Sequence, residues 1–598
     1  MKLARRLSGA LFALSTLGIA PLASAVDTTW TAAVNNDFYN AGNWSTNAIP
    51  TAADNVLILN PAVTASINFA GTRELGSFHL GTTGATGGNV DFSAGTLAVH
   101  ADFDRSHIGD KSSLDSKFVM RGTAVMLYDE PLDGGGGGLG SPGGNQDLEI
   151  GAQTGAAGKL GLLELHDSAI LRISDDLKVG AETNGNGEVL IDGNAQISTG
   201  SGISISESNP SKGKMTVAGS ALVVSGNSAG AGNSAQGFTD EGYFTLSTGA
   251  DSTADVLVKD SGKIYVRSLQ QRGGVSNLTV QDNGEFHIFD TFNFAAPNLG
   301  VATLTGDPFG PQRANNVAEN NGSQFNLFVT GNGKVSIDSA VDDGSGLTLQ
   351  GLALSGGNNR GAVIGSGGAS KIDLRDHASF VLQQNLYMTV SNGSGDATSN
   401  LRVVGPNVGA QIKGDLFMSY DPVNQFQNPG QSTLTAVITG GTHSTIQVGG
   451  EAKIEFGNLA VELSGYAPHG GETYTLLTAN SIGGTSFAAT DFTLAPLASG
   501  LSWDVTVGAT SVVLKVLGSV ALPGDFDNDL DVDGADFLKW QRNFGTPGYD
   551  AASLATWKAN FGATAAVSAA AAIPEPSTAV LGAVAVGAIA ACRRRVAR

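Results

Sequence analysis

"LLELHDSAILRI" at residues 162–173, "VLIDGNAQI" at 189–197 and "MTVAGSALVV" at 215–224 follow one pattern. Apolar side chains alternate with others, a polar or glycine turn intervenes, and the alternation resumes. Successive side chains of a strand point to opposite faces, so the alternation marks strands and the Asp/Asn/Gly cluster marks a turn. Leu163, Val189 and Met215 are equivalent and lie 26 residues apart. The pattern returns from Val256, Leu278, Leu327, Ile372 and Leu401, with gaps between 22 and 49 residues. A recurring unit of this size buries its apolar face by stacking on its neighbours. The sequence therefore predicts an all-β chain with a right-handed parallel β-helix, or solenoid, over residues 61–431. Apolar residues should point inward and turns outward, with insertions filling the irregular gaps. Hairpins in β-sandwiches fit the same alternation and remain the alternative.

Composition agrees with that reading. Of 598 residues 83 are Gly, only 15% are charged, and 41% are hydrophobic, so abundant turns coexist with a large core. The net charge of −21, from 33 basic and 54 acidic residues, argues against nucleic acid as a partner. It suits calcium binding or solubility. Cys592 is the only cysteine, which excludes disulfides and thiolate chemistry from the body. "GGGGGLGSPGG" at 134–144 reads as a surface loop.

A different chemistry appears in "GDFDNDLDVDGADFLKW" at 524–540. With Asp525 as position 1, Asp527, Asp529, Asp531, Asp533 and Asp536 occupy positions 3, 5, 7, 9 and 12. Those are the ligand positions of a calcium loop of about 12 residues, with the backbone carbonyl serving at position 7. Asp536 is expected to begin a helix carrying Phe537, Leu538, Trp540 and Phe544, with Gly545 as its stop. "FLKWQRNFG" at 537–545 recurs as "LATWKANFG" at 554–562. The loop and helix resemble a type I dockerin repeat, which implies bound Ca²⁺ and a cohesin-like receptor as partner. Leu530 stands where the loop normally has glycine, and the second copy lacks the first half of a loop, so one calcium site is expected.

Both ends read as processing signals. Lys2, Arg5 and Arg6 precede an apolar run and Ala23-Ser24-Ala25, the layout of a signal peptide over 1–25. Pro574-Glu575-Pro576, a 16-residue apolar stretch from Ser577 to Cys592, and Arg593–Arg595 follow at the other end. The stretch gives a helix of about 24 Å, short against a hydrocarbon core of about 30 Å. This tail, 573–598, resembles the PEP-CTERM sorting signal of Gram-negative-type bacteria. That resemblance implies exosortase processing, transient insertion in the inner membrane, and delivery to the cell surface, outer membrane or extracellular matrix. A plain membrane anchor is the alternative.

Trp30, Asn43-Trp44, Pro50 and the run 54–58 resemble the opening cap of bacterial surface β-solenoids, placing a cap at 26–60. Residues 432–517 resemble the β-rich closing region of autotransporter-like proteins, with Tyr466, Tyr474, Phe487 and Trp503 as its core. The calcium module spans 518–564 and a linker 565–572.

No catalytic residue emerges from the sequence. The pairs Asp175-Asp176 and Asp342-Asp343 read as turn residues. The eight histidines form no zinc motif, and His166 and His377 sit at repeat turns. No tryptophan lies between residues 45 and 502 to serve as a sugar-stacking surface. The sequence reading is an exported, surface-sorted structural, adhesive or matrix protein, with exopolysaccharide as a further candidate partner. A polysaccharide-active β-helix lyase or glycosidase is the alternative.

Overall fold

A computed structural model describes residues 26–563, except 83, 85, 101–104, 112–113, 129–146, 153–158, 226–242, 267, 272, 290–314, 318–323, 339–360, 366–367, 390–396, 422–425, 428–430, 484–490, 519–521 and 528–530. The signal segment 1–25, the glycine loop 134–144, Asp342-Asp343, Phe487, Asp529, Leu530 and the tail 573–598 lie outside the described residues. The described residues form two compact units. One comprises the described residues within 26–279, 283–317 and 324–325, and the other those within 280–282, 326–338 and 361–563.

In the first unit the repeat becomes a coil of three strands, and each strand pairs in parallel with its equivalent one coil away. Gly161–Leu165, Asn186–Ile191, Lys212–Val217 and Thr253–Val258 stack in one row. Ile170–Ile173, Gln196–Thr199, Leu222–Ser225 and Lys263–Val266 stack in a second. Val189 lies between Leu163 and Met215, so the 26-residue spacing is the coil length itself. The sequence does not reveal the third row, because its strands are short and have no turn of their own. It runs from Val26–Thr29 and Asp54–Ile58 through Ser77–Leu80, Ser106–Ile108, Leu148–Ile150, Leu177–Val179 and Ile203–Ile205 to Tyr243–Leu246 and Ser268–Gln271. Inward side chains such as Leu163, Leu165, Leu171, Ile173, Leu177 and Val179 are fully buried. This parallel stacking excludes the hairpin-sandwich alternative for these residues.

The turn between the first two strands sets the chain direction at every coil. Its second residue has left-handed φ: Asp167 at 60°, Gly193 at 66°, Gly219 at 63° and Asp260 at 57° in the first unit. Gly331 and Asp376 in the second unit have 62° and 58°. Glycine adopts this conformation without strain, and Asp tolerates it better than most residues. Where Asp follows Gly one coil later, its carboxylate accepts the glycine N–H. Asp167 takes Gly122 at 2.9 Å, Asp260 takes Gly219 at 3.1 Å, and Asp376 takes Gly331 at 3.3 Å.

A local aromatic cluster lies beside Val26–Thr29, at the start of the third row, where Trp30 bridges Trp44. Trp30, Phe38 and Trp44 are buried, and the two indole rings lie 5.1 Å apart. Asn43, fully buried, accepts the N–H groups of Val34 and Asn35 and donates to Asn35 and to the Asp37 carbonyl.

The second unit repeats the scheme. Ala369–Leu374, Thr398–Val404, Ser432–Ile438, Asn458–Leu463 and Phe492–Leu494 form one parallel row. Gly361–Ile364, Asn385–Met388, Leu416–Met418, Glu451–Lys453 and Ser481–Gly483 form another. Parallel stacking therefore runs past residue 432. A further parallel row, Ser379–Leu382, Gly409–Ile412, Ile446–Val448 and Thr473–Thr478, ends where Thr473–Thr478 and Leu501–Val507 pair antiparallel with Ser511–Gly518. Tyr474 is buried there, with Tyr466 and Trp503 packed around it. Two short helices, α1 (Gly534–Asn543) and α2 (Ala551–Asn560), complete the described chain. Among the described residues no helix is long and apolar enough to cross a membrane.

Candidate functional site

Two clusters of ionisable side chains stand out, one foreseen from the sequence and one not. The foreseen cluster lies at α1. The sequence expectation starts the helix at Asp536, but it starts at Gly534, because Asp533 serves as N-cap. The Asp533 carboxylate accepts the Ala535 N–H at 2.7 Å, and Asp536 reaches back to the Asp533 N–H at 2.8 Å. This reciprocal capping satisfies N–H groups that a helix start leaves without partners. Asp536 is fully buried and also accepts Phe526 N–H at 2.5 Å and Asp527 N–H at 3.0 Å. It ties the loop to the helix.

Asp536 also joins two acidic trios. One carboxylate oxygen from each of Asp525, Asp527 and Asp536 lies within 4.8 Å of the others, and the same holds for Asp531, Asp533 and Asp536. The described loop aspartates thus converge on one buried carboxylate. Each trio could hold a metal ion, and an all-oxygen donor set suits a hard cation.

The second copy supplies a partner helix. Asp550 and Ser553 cap α2 as Asp533 and Asp536 cap α1. Trp540 Nε1 donates to the Asp550 carbonyl at 3.0 Å, and Trp557 Nε1 donates to the Asp533 carbonyl at 2.8 Å. Each indole thereby fastens the start of the other helix. Gly545 and Gly562, with φ of 90° and 87°, end the two helices in the same way. Leu538, Phe544 and Phe561 are exposed.

The unforeseen cluster lies on the outward face of the third row in the first unit. Register places His79, His107, Glu149, Lys178 and Ser204 in one column. Arg105, Asp147 and Asp176 stand two residues earlier, each immediately before one of those strands. Arg105 pairs with Glu149 at 2.5 Å, and Lys178 with Asp147 at 2.9 Å. His107 Nε2 meets Glu149 at 3.1 Å, and its Nδ1 meets His79 Nδ1 at 3.2 Å. Asp176 accepts the Gly202 N–H at 2.6 Å and the Tyr243 hydroxyl.

Burial acts on each of these charges. It pushes the Asp147 carboxyl up, against the pull of Lys178. It would also raise Glu149, but His107 and Arg105 outweigh it and hold that carboxyl below its usual range. Burial would lower Lys178, yet Asp147 keeps the ammonium group above its ordinary value. The cluster is therefore a mutually neutralising network in which the carboxylates outnumber the fixed cations.

Of the two Asp pairs read as turn residues, Asp175-Asp176 belongs to this network, and one oxygen of each lies within 4.8 Å of one from Asp147. His166 stays at its turn, bound to Asp192 at 2.8 Å and Glu164 at 3.3 Å. No family model matches the chain, and no curated protein matches it.

Proposed function

We propose that the protein is exported and sorted to the cell surface, and acts there as a structural or adhesive element of the extracellular matrix. Its body is a right-handed β-helix of autotransporter type, and residues 518–564 form a dockerin-like module that binds Ca²⁺. The observation that carries this reading is the convergence of Asp525, Asp527, Asp531 and Asp533 on buried Asp536. Calcium needs about six to eight oxygen ligands, and a loop of alternating aspartates supplies them at little apolar cost. Asp529 and the Asp531 carbonyl complete the set. Segment 1–25 directs export, and the PEP-CTERM-like tail engages an exosortase during transient membrane insertion. A cohesin-like receptor or an exopolysaccharide is the partner class. Mass spectrometry of surface material tests the sorting step. The mature chain should begin near Val26 and lack Arg593–Arg595; an intact tail contradicts sorting and favours a plain anchor.

A polysaccharide-active enzyme is the second reading, favoured by the Asp147, Asp175 and Asp176 trio. Glycosidases use two carboxylates about 5–9 Å apart. Against it, Asp176 is held through both oxygens and Asp147 is ion-paired, an arrangement suited to holding rather than proton transfer. Release of reducing ends from a glycan panel, abolished by Asp176→Asn, would establish turnover.

A further inference from the structure

We propose that the strand Leu501–Val507 of the second unit pairs edge to edge with the same strand of a second copy of this chain. The two antiparallel sheets join about a two-fold axis at Val505. The inference goes beyond the surface reading and stands on backbone hydrogen bonding.

The strand has a neighbour on one side only. It pairs with Ser511–Gly518, from Leu501 opposite Gly518 to Val507 opposite Val512. In an antiparallel pair, residues alternately direct their backbone groups toward the neighbouring strand and away from it. Val516 gives its N–H to the Glu472 carbonyl and accepts the Gly471 N–H, so its groups point away from Leu501–Val507. Trp503, opposite Val516, therefore points away as well, and by alternation so do Val505 and Val507. The backbone groups of Trp503, Val505 and Val507 have no partner among the described residues. The Leu501 N–H is taken locally by the Ala498 carbonyl.

Edge strands ordinarily carry a guard, such as charge, proline, a bulge or short length. This one is seven residues long. It contains no proline, keeps its register throughout and has Asp504 as its single charge. Leu501, Trp503 and Val505 pack inward on Tyr474 and its neighbours, while Ser502, Asp504 and Thr506 are exposed. An open ladder of this kind is a template for another strand.

A second copy is the occupant because the strand is complementary to itself. Bonded pairs must join residues whose backbone groups point outward, so odd-numbered positions face odd-numbered positions. An axis at Val505 sets Trp503 opposite Val507 and Val505 opposite itself, and every free group of these residues finds a partner. An axis at Asp504 would set the two Asp504 carboxylates directly opposite, with β-carbons about 5 Å apart, which like charges disfavour. An axis at Trp503 leaves Val507 unpaired, and one at Thr506 leaves Trp503 unpaired. With the axis at Val505, Asp504 lies opposite Thr506, whose hydroxyl is a donor for it. Residues set opposite each other share a face, so the apolar side chains of both copies stay on the core side. The contact is isologous and closes as a dimer.

Sedimentation velocity on the full chain in mild detergent, across the micromolar range, tests the pairing. The expected result is a monomer–dimer equilibrium that persists after calcium is chelated. Thr506→Lys, which sets an ammonium group opposite Asp504, should tighten the dimer severalfold. Thr506→Asp, which sets like charges opposite each other, should weaken it about tenfold. Thr506 is exposed, so both variants should keep the wild-type melting curve. A chain that stays monomeric overturns the proposal. So does a dimer lost on chelation, which would place the contact in the acidic module. A dimer indifferent to both Thr506 variants overturns this edge as its seat, and one weakened equally by both overturns the register.

Discussion

The coils and the two-helix module solve the same stability problem by opposite means. In the coils almost every inward side chain is apolar and buried, and each strand is paired along its row. Among the described residues of the module the buried side chains are those of Val532, Asp536 and Trp540, while Leu538, Phe544 and Phe561 are exposed. A chain this short cannot bury enough surface to offset its conformational entropy, so small modules commonly need a staple. The coils carry their stability in the repeat, and the module places a carboxylate where a hydrophobic core would otherwise be. The difference teaches that the acidic loop is a structural device for a part too small to fold on apolar burial.

Truncating the coil core should have the largest effect. Leu171→Ala empties a fully buried inward site, and should cost about 2–5 kcal/mol, read as a lower denaturation midpoint. The same variant should leave any calcium response unchanged. A calcium response lost together with the coil would break the contrast.

Next comes the antiparallel end of the second unit. Glu472, 5% exposed, accepts the hydroxyls of Tyr466 and Tyr474 and the His469 N–H. Burial alone would raise its carboxyl, but these donors outweigh it and hold it below the usual range. A depressed folded value means the stabilisation is present above the unfolded carboxyl's pKa. It is lost as pH falls through the folded one. Glu472→Gln should cost about 1–3 kcal/mol at neutral pH and flatten the acid limb of the stability curve. An unchanged acid limb, measured by denaturation at stepped pH, would contradict the assignment.

The smallest effect belongs to a single turn. The Thr330 hydroxyl and the Gly331 N–H hold Asp376 below the ordinary carboxylate range. Asp376→Ala removes both bonds and places alanine at φ 58°, for an expected loss of about 1 kcal/mol. A neutral result would show that the turn column adds nothing beyond backbone pairing.

How far the sequence reveals all this depends on range. The turn-flanked strand pairs are legible because period-2 alternation and the Asp/Gly turn lie within about a dozen residues. The loop aspartates are legible for the same reason, since their ligand spacing is local. Strands such as Leu177–Val179 and Ile203–Ile205 are too short to show a period, so the third row stays hidden. With it goes the charged face, which joins residues as far apart as Asp176 and Tyr243, 67 positions along the chain. Uneven insertions between coils erase the arithmetic that would align them, although Gly202 does stand 26 residues after Asp176. The helix starts at Gly534 rather than Asp536 because Asp533 is its N-cap and Asp536, a carboxylate of the acidic loop, is the capping partner in the first turn.

The central claim is that an ion staples the module and not the coils. Calcium calorimetry on the chelated full chain, followed in parallel by tryptophan fluorescence, tests it most directly. We predict one site per chain with affinity near the weak extracellular range of about 10⁻⁴–10⁻³ M, a fluorescence change from Trp540 and Trp557, and loss of both signals in Asp525→Ala and Asp536→Asn. The coil melting transition should be the same with and without calcium. No calcium heat and no fluorescence change at millimolar calcium would contradict the account and leave residues 524–536 as an acidic linker with a well-capped helix.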